Sequence, residues 1–204
     1  MMNLDLFTPA PSQGEWIEID GGRLYWAPAF FELTESDRYF AALRQSLHWK
    51  QEAIALYGRQ VLQPRLQSWC GEAQYSYSGL TMQPEPWTPE LLAIKMACET
   101  ACQSQFNSVL ANLYRNGQDS MGWHQDNEPE LGPQPVIASV TFGESRRFLL
   151  KHKRTAEKIE FQLGHGSLLV MAGQTQSNWA HSVPKTQQHS GERINLTYRW
   201  IYHV

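Results

Sequence analysis

Cysteine is scarce in this chain. Cys70, Cys98 and Cys102 are the only three among 204 residues, an odd number with no Cys-x-x-Cys spacing, which argues against a disulfide framework and a thiolate zinc cluster and favours a reducing compartment. Long apolar runs are also missing. Nowhere do about 18 consecutive apolar residues occur, and the first thirty residues carry Asp5, Glu15, Glu18 and Asp20 without the apolar stretch of a secretory leader. A large charge of one sign is absent as well: the formal net charge is −3, so attraction of a polyanion has to come from a local basic patch rather than the field of the whole molecule. The chain reads as cytosolic and soluble, and a monomer without membrane contact, in the bacterial cytosol or nucleoid, is expected.

Aromatic residues, by contrast, are plentiful. Trp, Tyr and Phe each occur eight times, a load that suits a β-rich fold or a stacking surface. The length fits one domain with a continuous core. Residues 1–14, with Pro9, Pro11, Ser12 and Gly14, read as a flexible tail, and residues 15–204 as the domain. "EWIEIDGGRLYWAPAFF" reads as two strands joined by a Gly-Gly hairpin. Two helices are expected: "LTESDRYFAALRQSL", with Thr34 or Ser36 as N-cap, and "TPELLAIKMACETACQSQF", with Thr88 as cap and Pro89 in the first turn. Between them the Gly- and Pro-punctuated "ALYGRQVLQPRLQSWCGEAQYSYSGLTMQPEPW" predicts hairpins that project from the core. Residues 15–108 thus read as an N-terminal extension with hairpins. From Val109 onward strands follow one another through "VLANLYR", "PVIASVTFG", "RRFLLKHK", "KIEFQL", "GSLLVMAG", "NWAHSVP" and "RINLTYRWIY". The expected class is α+β, with a jelly-roll core over residues 109–204.

The candidate chemistry starts at "MGWHQDNEPELG", where His124 and Asp126 stand two apart. Period-two geometry places both on one face of a strand end, where they can share an ion. A metal then needs a third ligand, and His181 in "NWAHSVPK" is the candidate, because a jelly roll brings a late strand beside an early one. Two histidines and one carboxylate on one face, with positions left open, are the ligand set of non-haem Fe(II) oxygenases. The plain alternative is a half-buried strand histidine beside a polar loop. His48, His152, His165, His189 and His203 have no such partner in sequence and read as ordinary polar residues.

In "RINLTYRW", Arg193, Asn195, Thr197 and Arg199 alternate with Ile194, Leu196 and Tyr198. This is either a solvated outer face or the lining of a barrel, and inward guanidinium groups require anions. A dicarboxylate supplies them through charge-assisted, bidentate hydrogen bonds. Asn112 and Tyr114 in "NLYRNG" are again two apart and offer an amide and a hydroxyl to the same acid.

In chain order, N-L-Y, H-Q-D, a distant His and R-x-N-x-T-x-R, with "PVIASVTFGESRRFLLKHK" and "HGSLLVMAG" between them, resemble the AlkB-type 2-oxoglutarate and Fe(II)-dependent dioxygenases across roughly residues 74–201. The resemblance implies a double-stranded β-helix, iron held by His124, Asp126 and His181, and 2-oxoglutarate held by Asn112, Tyr114, Arg193, Thr197 and Arg199, with Asn195 in the same signature. It implies oxidative dealkylation of N-alkylated DNA bases such as 1-methyladenine and 3-methylcytosine, releasing formaldehyde, succinate and carbon dioxide. "YSYSGL" is similar to the substrate loop of the DNA-repair branch, which makes Tyr75, Ser76 and Tyr77 substrate residues, Tyr77 stacking on a flipped base. "IALYGRQ" falls where that branch carries a duplex-probing hairpin; Leu56, Tyr57 and Gly58 would form its tip and Arg59 would reach a phosphate. Arg146, Arg147, Lys151, Lys153 and Arg154 would extend the basic surface. Asn127 and Glu128 are the candidates to read the base, and Asn127 stands where the duplex-acting branch has a carboxylate, which leaves base preference open. The hairpin favours double-stranded over single-stranded DNA. Asn3 to Phe7, "NLDLF", resembles a motif that docks bacterial repair proteins on the sliding clamp. Two other readings stay open: the same chemistry on RNA, protein or a small molecule, and a noncatalytic lesion-binding module.

Overall fold

The computed structural model describes residues 14–56, 59–77, 80–188 and 190–202. The segment Asn3 to Phe7 and the hairpin-tip residues Tyr57 and Gly58 lie outside the described residues, and Leu56, Tyr75, Ser76 and Tyr77 are described by their backbone alone. In chain order the elements are β1 (Glu15–Ile19), β2 (Gly22–Ala27), α1 (Leu33–Ser46), β3 (Ala53–Leu56), β4 (Arg59–Leu62), β5 (Leu66–Gly71), β6 (Tyr75–Tyr77), β7 (Leu80–Met82), α2 (Pro89–Cys102), β8 (Ser108–Tyr114), β9 (Met121–His124), β10 (Ile137–Gly143), β11 (Arg146–His152), β12 (Lys158–Leu163), β13 (Ser167–Gly173), the one-turn α3 (Thr175–Asn178), β14 (Trp179–Val183) and β15 (Arg193–Arg199).

The first hairpin closes through Asp20 and Gly21, since Ile19 pairs with Gly22. Gly21 takes φ +68, and a Cβ there would lie 2.0 Å from Asn178 Nδ2, so the left-handed second position of the turn calls for glycine and the side chain of α3 sits close against it. α2 starts as its sequence predicts: Thr88 Oγ1 accepts from Leu91 N at 3.2 Å and Pro89 opens the helix. α1 does not. Its N-cap is Glu32, without a side-chain cap bond, and Thr34 and Ser36 fall inside the first turn. The start is set from outside the helix, because Phe30 N and Phe31 N both donate to Gly166 O and deliver the chain to Leu33 already turned.

All the ladders are antiparallel and build two larger sheets. The major sheet runs β1-β2-β13-β10-β15-β8-β5 and the minor sheet β12-β11-β14-β9, with β3-β4 and β6-β7 as separate hairpins. β5, which the sequence places among the projecting hairpins, instead pairs with β8 from Leu66↔Leu113 to Gly71↔Ser108 as the edge of the major sheet. Its row of buried side chains needed a neighbour, and β8 provides one.

Period two in the major sheet sorts its side chains into two cores. Val109, Ala111 and Leu113 of β8, Ala138, Val140 and Phe142 of β10, and Ile194, Leu196 and Tyr198 of β15 pack with Leu43 of α1 and Leu91 and Ile94 of α2. The opposite face looks toward the minor sheet. There Leu24, Ile137 and Leu169 meet Phe148, Leu150 and Trp179 and close one end of the interior with apolar groups. At the other end the inward residues of β8 and β15 are polar apart from Leu110, and the two sheets leave a cavity between them.

Trp179 is fully buried and its Nε1 donates to Asp20 O at 3.0 Å, tying the first hairpin to β14. Trp179→Ala is expected to cost about 3–5 kcal/mol, read as a lower urea midpoint with an unchanged m-value.

Candidate iron and 2-oxoglutarate site

His124 is the last residue of β9 and faces His181 of β14 in register, their ring centroids 4.2 Å apart. Asp126 follows two residues later, beyond the strand, and is buried. The ligand atoms of His124, Asp126 and His181 all lie within 4.8 Å of one another, the one group of three potential ligands found among the described residues. His124 Nδ1 sits 2.9 Å from Gly122 O. A carbonyl partner assigns the ring proton to Nδ1 and leaves the Nε2 lone pair for a metal.

The electrostatics suit ligation. Burial, followed by the neighbouring His124, pulls the His181 pKa down to about 3, and burial lowers that of His124, so both rings are neutral at pH 7. For Asp126 burial alone would raise the carboxyl; Arg199 foremost reverses this and holds it below its ordinary value. Arg199 Nη2 donates to Asp126 Oδ1 at 3.0 Å. The other oxygen, Oδ2, is 4.0 Å from His181 Nε2 and is buried with no hydrogen-bond partner among the described residues. Two neutral imidazoles and one ionised carboxylate with a buried, open oxygen call for a divalent cation.

The matching anion site lies across the same interior. β15 pairs with β8 so that Arg193 faces Tyr114 and Asn195 faces Asn112, uniting residues some eighty positions apart. Asn112, Tyr114, Asn195, Thr197 and Arg199 line a cavity of about 710 Å³, counting its open mouth, together with the three iron-ligand candidates. Arg193 sits behind this wall, its guanidinium 5.0 Å from the centroid of the Tyr114 ring. Nη2 donates to Thr141 Oγ1 at 2.9 Å, while Nε and Nη1 are buried without a hydrogen-bond partner among the described residues. Burial lowers the Arg193 pKa only to about 10, so it stays a cation at pH 7 and a charge-assisted donor for an acid. Asn195 is occupied in the framework: its Nδ2 donates to Ser139 Oγ at 2.8 Å and Val140 O at 3.0 Å.

Sequence reasoning missed Arg65, Gln67 and Gln63. All three are buried and line the cavity. Asn112 Oδ1 accepts from Arg65 Nε at 2.8 Å and Gln67 Nε2 at 3.3 Å, and Arg65 Nη2 donates to Gln63 Oε1 at 2.6 Å. The signal was legible as the period-two polar pair in "PRLQ", the same alternation that marked β15.

The outer residues divide. Arg59 and Asn127 are exposed and Glu128 is half-buried. Arg146 is not part of a basic surface: it is buried and its guanidinium donates to the carbonyls of Asn116, Asp119 and Pro184. Arg147 is exposed but forms a bidentate pair with Glu160, both bonds 2.8 Å. Lys151, Lys153 and Arg154 remain exposed, Lys153 Nζ donating to Gln125 Oε1. His48, His152 and His165 do have carboxylates nearby, Glu85, Asp20 and Asp37, which the chain supplies from distant positions.

The family model described as the 2OG-Fe(II) oxygenase superfamily matches residues 23–199. The chain belongs to that superfamily. Within it the chain is 42% identical over 190 residues to the bovine alpha-ketoglutarate-dependent dioxygenase alkB homolog 3 (88% of this chain, 66% of the relative) and 41% identical over 185 residues to the human one (86% and 65%). It is 40% identical over 185 residues to the mouse DNA oxidative demethylase ALKBH2, covering 84% of this chain and 77% of the relative. It is thus an AlkB-type member, spanning about two thirds of the length of the alkB homolog 3 relatives. The solved structure of OsALKBH1 shares the fold, with a TM-score of 0.64 at 15% identity over 92% of this chain and 99% of that one. The cofactors of this superfamily are Fe(II) and 2-oxoglutarate; the open Asp126 oxygen fits the first, and the polar wall backed by the cationic Arg193 fits the second.

Asp126→Ala is expected to abolish Mn(II) binding, Mn(II) serving as an oxygen-inert probe, in calorimetric titration of the folded protein. Arg193→Leu should leave metal binding in place and weaken 2-oxoglutarate binding about 10–100-fold, since hydrogen bonds to charged groups are worth about 1.5–3 kcal/mol; an unchanged affinity would place the acid elsewhere.

Proposed function

We propose that this protein is a 2-oxoglutarate-dependent Fe(II) dioxygenase that removes alkyl groups from N-alkylated bases in DNA, such as 1-methyladenine and 3-methylcytosine, releasing formaldehyde, succinate and carbon dioxide. The observation that carries the reading is a buried His-Asp-His set, open on one carboxylate oxygen among the described residues, lining the same cavity as Asn112, Tyr114, Asn195 and Thr197, with the cationic Arg193 behind Tyr114. When bound, Fe(II) with 2-oxoglutarate supplies the activation of dioxygen that oxidises an N-alkyl carbon. The chain's own residues do the positioning. His124, Asp126 and His181 hold the ion, and Arg199 keeps Asp126 ionised and aimed. Arg193, with Tyr114 beside it, receives one carboxylate of the acid. Leu110, Met121, Phe148 and Val183 in the wall keep water from the reacting carbon. A hydroxylated N-alkyl carbon then collapses to an aldehyde and the free base.

DNA as the substrate is supported by the 40% identity to a protein named as a DNA oxidative demethylase and by the hairpins β3-β4 and β6-β7, which stand outside the two larger sheets. The chain runs from β4 directly into Gln63 and Arg65 of the cavity wall, so a base entering between hairpin and sheet meets them. We assign Tyr77 to stacking on that base, Leu56, Tyr57, Gly58 and Arg59 to probing a duplex, and Asn127 and Glu128 to reading the lesion. Double-stranded DNA is favoured, with Asn3 to Phe7 as a docking motif for the sliding clamp in a bacterial cytosol.

Mass spectrometry of methylated DNA and RNA oligonucleotides, single- and double-stranded, is expected to show Fe(II)- and 2-oxoglutarate-dependent loss of the methyl group from DNA, with Tyr57→Ala losing turnover on duplexes more than on single strands. Demethylation of RNA alone would move the substrate, and succinate release uncoupled from every oligonucleotide would overturn the reading. Capture of the clamp by the wild type but not by Leu6→Ala or Phe7→Ala tests the docking motif separately.

A further inference from the structure

His124 and His181 are positioned by strands, facing each other across the β9-β14 ladder. Asp126 is not. Residues 125–128 belong to no strand or helix, so nothing regular in the backbone sets where this carboxylate points. Arg199 fixes one end of it through Oδ1. The other end, the main chain, is held by a side chain: Asp126 N donates to Gln176 Oε1 at 2.9 Å. Gln176 is 1% exposed, and its own amide nitrogen donates to Met171 Sδ at 3.3 Å, which fixes which way the amide faces.

The turn that carries Gln176 is itself clamped. Thr175 Oγ1 donates to Ala172 O at 2.6 Å, a Cβ on Gly22 would lie 2.3 Å from that oxygen, Lys153 N donates to Asn178 O at 2.8 Å, and Trp179 beyond it is fully buried. α3 is therefore gripped by β2, by the turn after β11 and by β14, the strand that carries His181.

We infer that Gln176 is a positioning residue for the metal centre: its side-chain carbonyl replaces the missing ladder bond at Asp126 and registers the loop ligand against the strand that bears His181. This rests on the metal reading of the triad and not on the identity of the alkylated substrate. A bond spanning fifty positions in sequence, from an anchored turn to the ligand that has no strand of its own, is what holds three ligands to one geometry before the ion arrives.

The test is Mn(II) binding by calorimetry or electron paramagnetic resonance at a temperature well below unfolding, with amide hydrogen exchange on the wild type. Gln176→Leu should weaken Mn(II) binding about 10–100-fold, the usual effect of losing an outer-shell partner. Gln176→Glu keeps an oxygen that accepts from Asp126 N–H and should recover most of the loss. The Asp126 amide of the wild type should be protected from exchange. A folded Gln176→Leu protein that binds Mn(II) as tightly as wild type overturns the inference, and so does a freely exchanging Asp126 amide, which decides the matter even where the Leu variant does not fold. Absence of Mn(II) binding by the wild type would overturn the metal reading and this inference together.

Discussion

The ion pair between Arg199 and Asp126 is the interaction on which the rest of the site depends. A carboxylate this deeply buried is costly unless paired, and removing one partner of a buried pair costs about 3–5 kcal/mol. Here the pair uses only one carboxylate oxygen. The second is left facing two neutral imidazoles, so the arrangement that keeps Asp126 charged also leaves it incomplete without a cation. Arg199 reaches this position because β15 lies in the middle of the major sheet with one face buried against the helices and the other toward the interior.

β15 in effect carries two contracts at once. Ile194, Leu196 and Tyr198 pack beneath α1 and α2, and Tyr198 OH donates to Leu91 O at 2.9 Å. The alternate residues present guanidinium, amide and hydroxyl groups to the cavity. A one-residue slip of this strand would send the polar set into the helical core and the apolar set into the site, so core packing and site geometry enforce the same register. The buried Arg193 fits the same logic: it is anchored to Thr141 and laid against Tyr114.

Much of this was legible along the chain because short-range physics governs it. The strands β8 and β10 to β15 announce themselves by alternation and turns, and Thr88 with Pro89 caps α2 through a local bond. Misreadings arise where a distant group decides. Thr34 and Ser36 are good capping residues, but Gly166 receives the backbone donors of Phe30 and Phe31 and sets the start of α1. Arg146 looks like surface charge by composition, and three carbonyls from two separate loops hold it in the interior. β5 reads as a projecting hairpin until β8 pairs with it.

By itself the sequence determined which residue types could do the chemistry and in what order they come: two histidines, an aspartate and an alternating polar strand, each recognisable because side-chain spacing within one strand follows directly from backbone geometry. The tertiary structure alone decided that His181 meets His124, that Arg193 faces Tyr114, that Arg65 and Gln67 converge on Asn112, and that Gln176 holds the loop bearing Asp126. Those are contacts across ladders and between sheets, and their partners are chosen by register and packing over distances that no local pattern encodes.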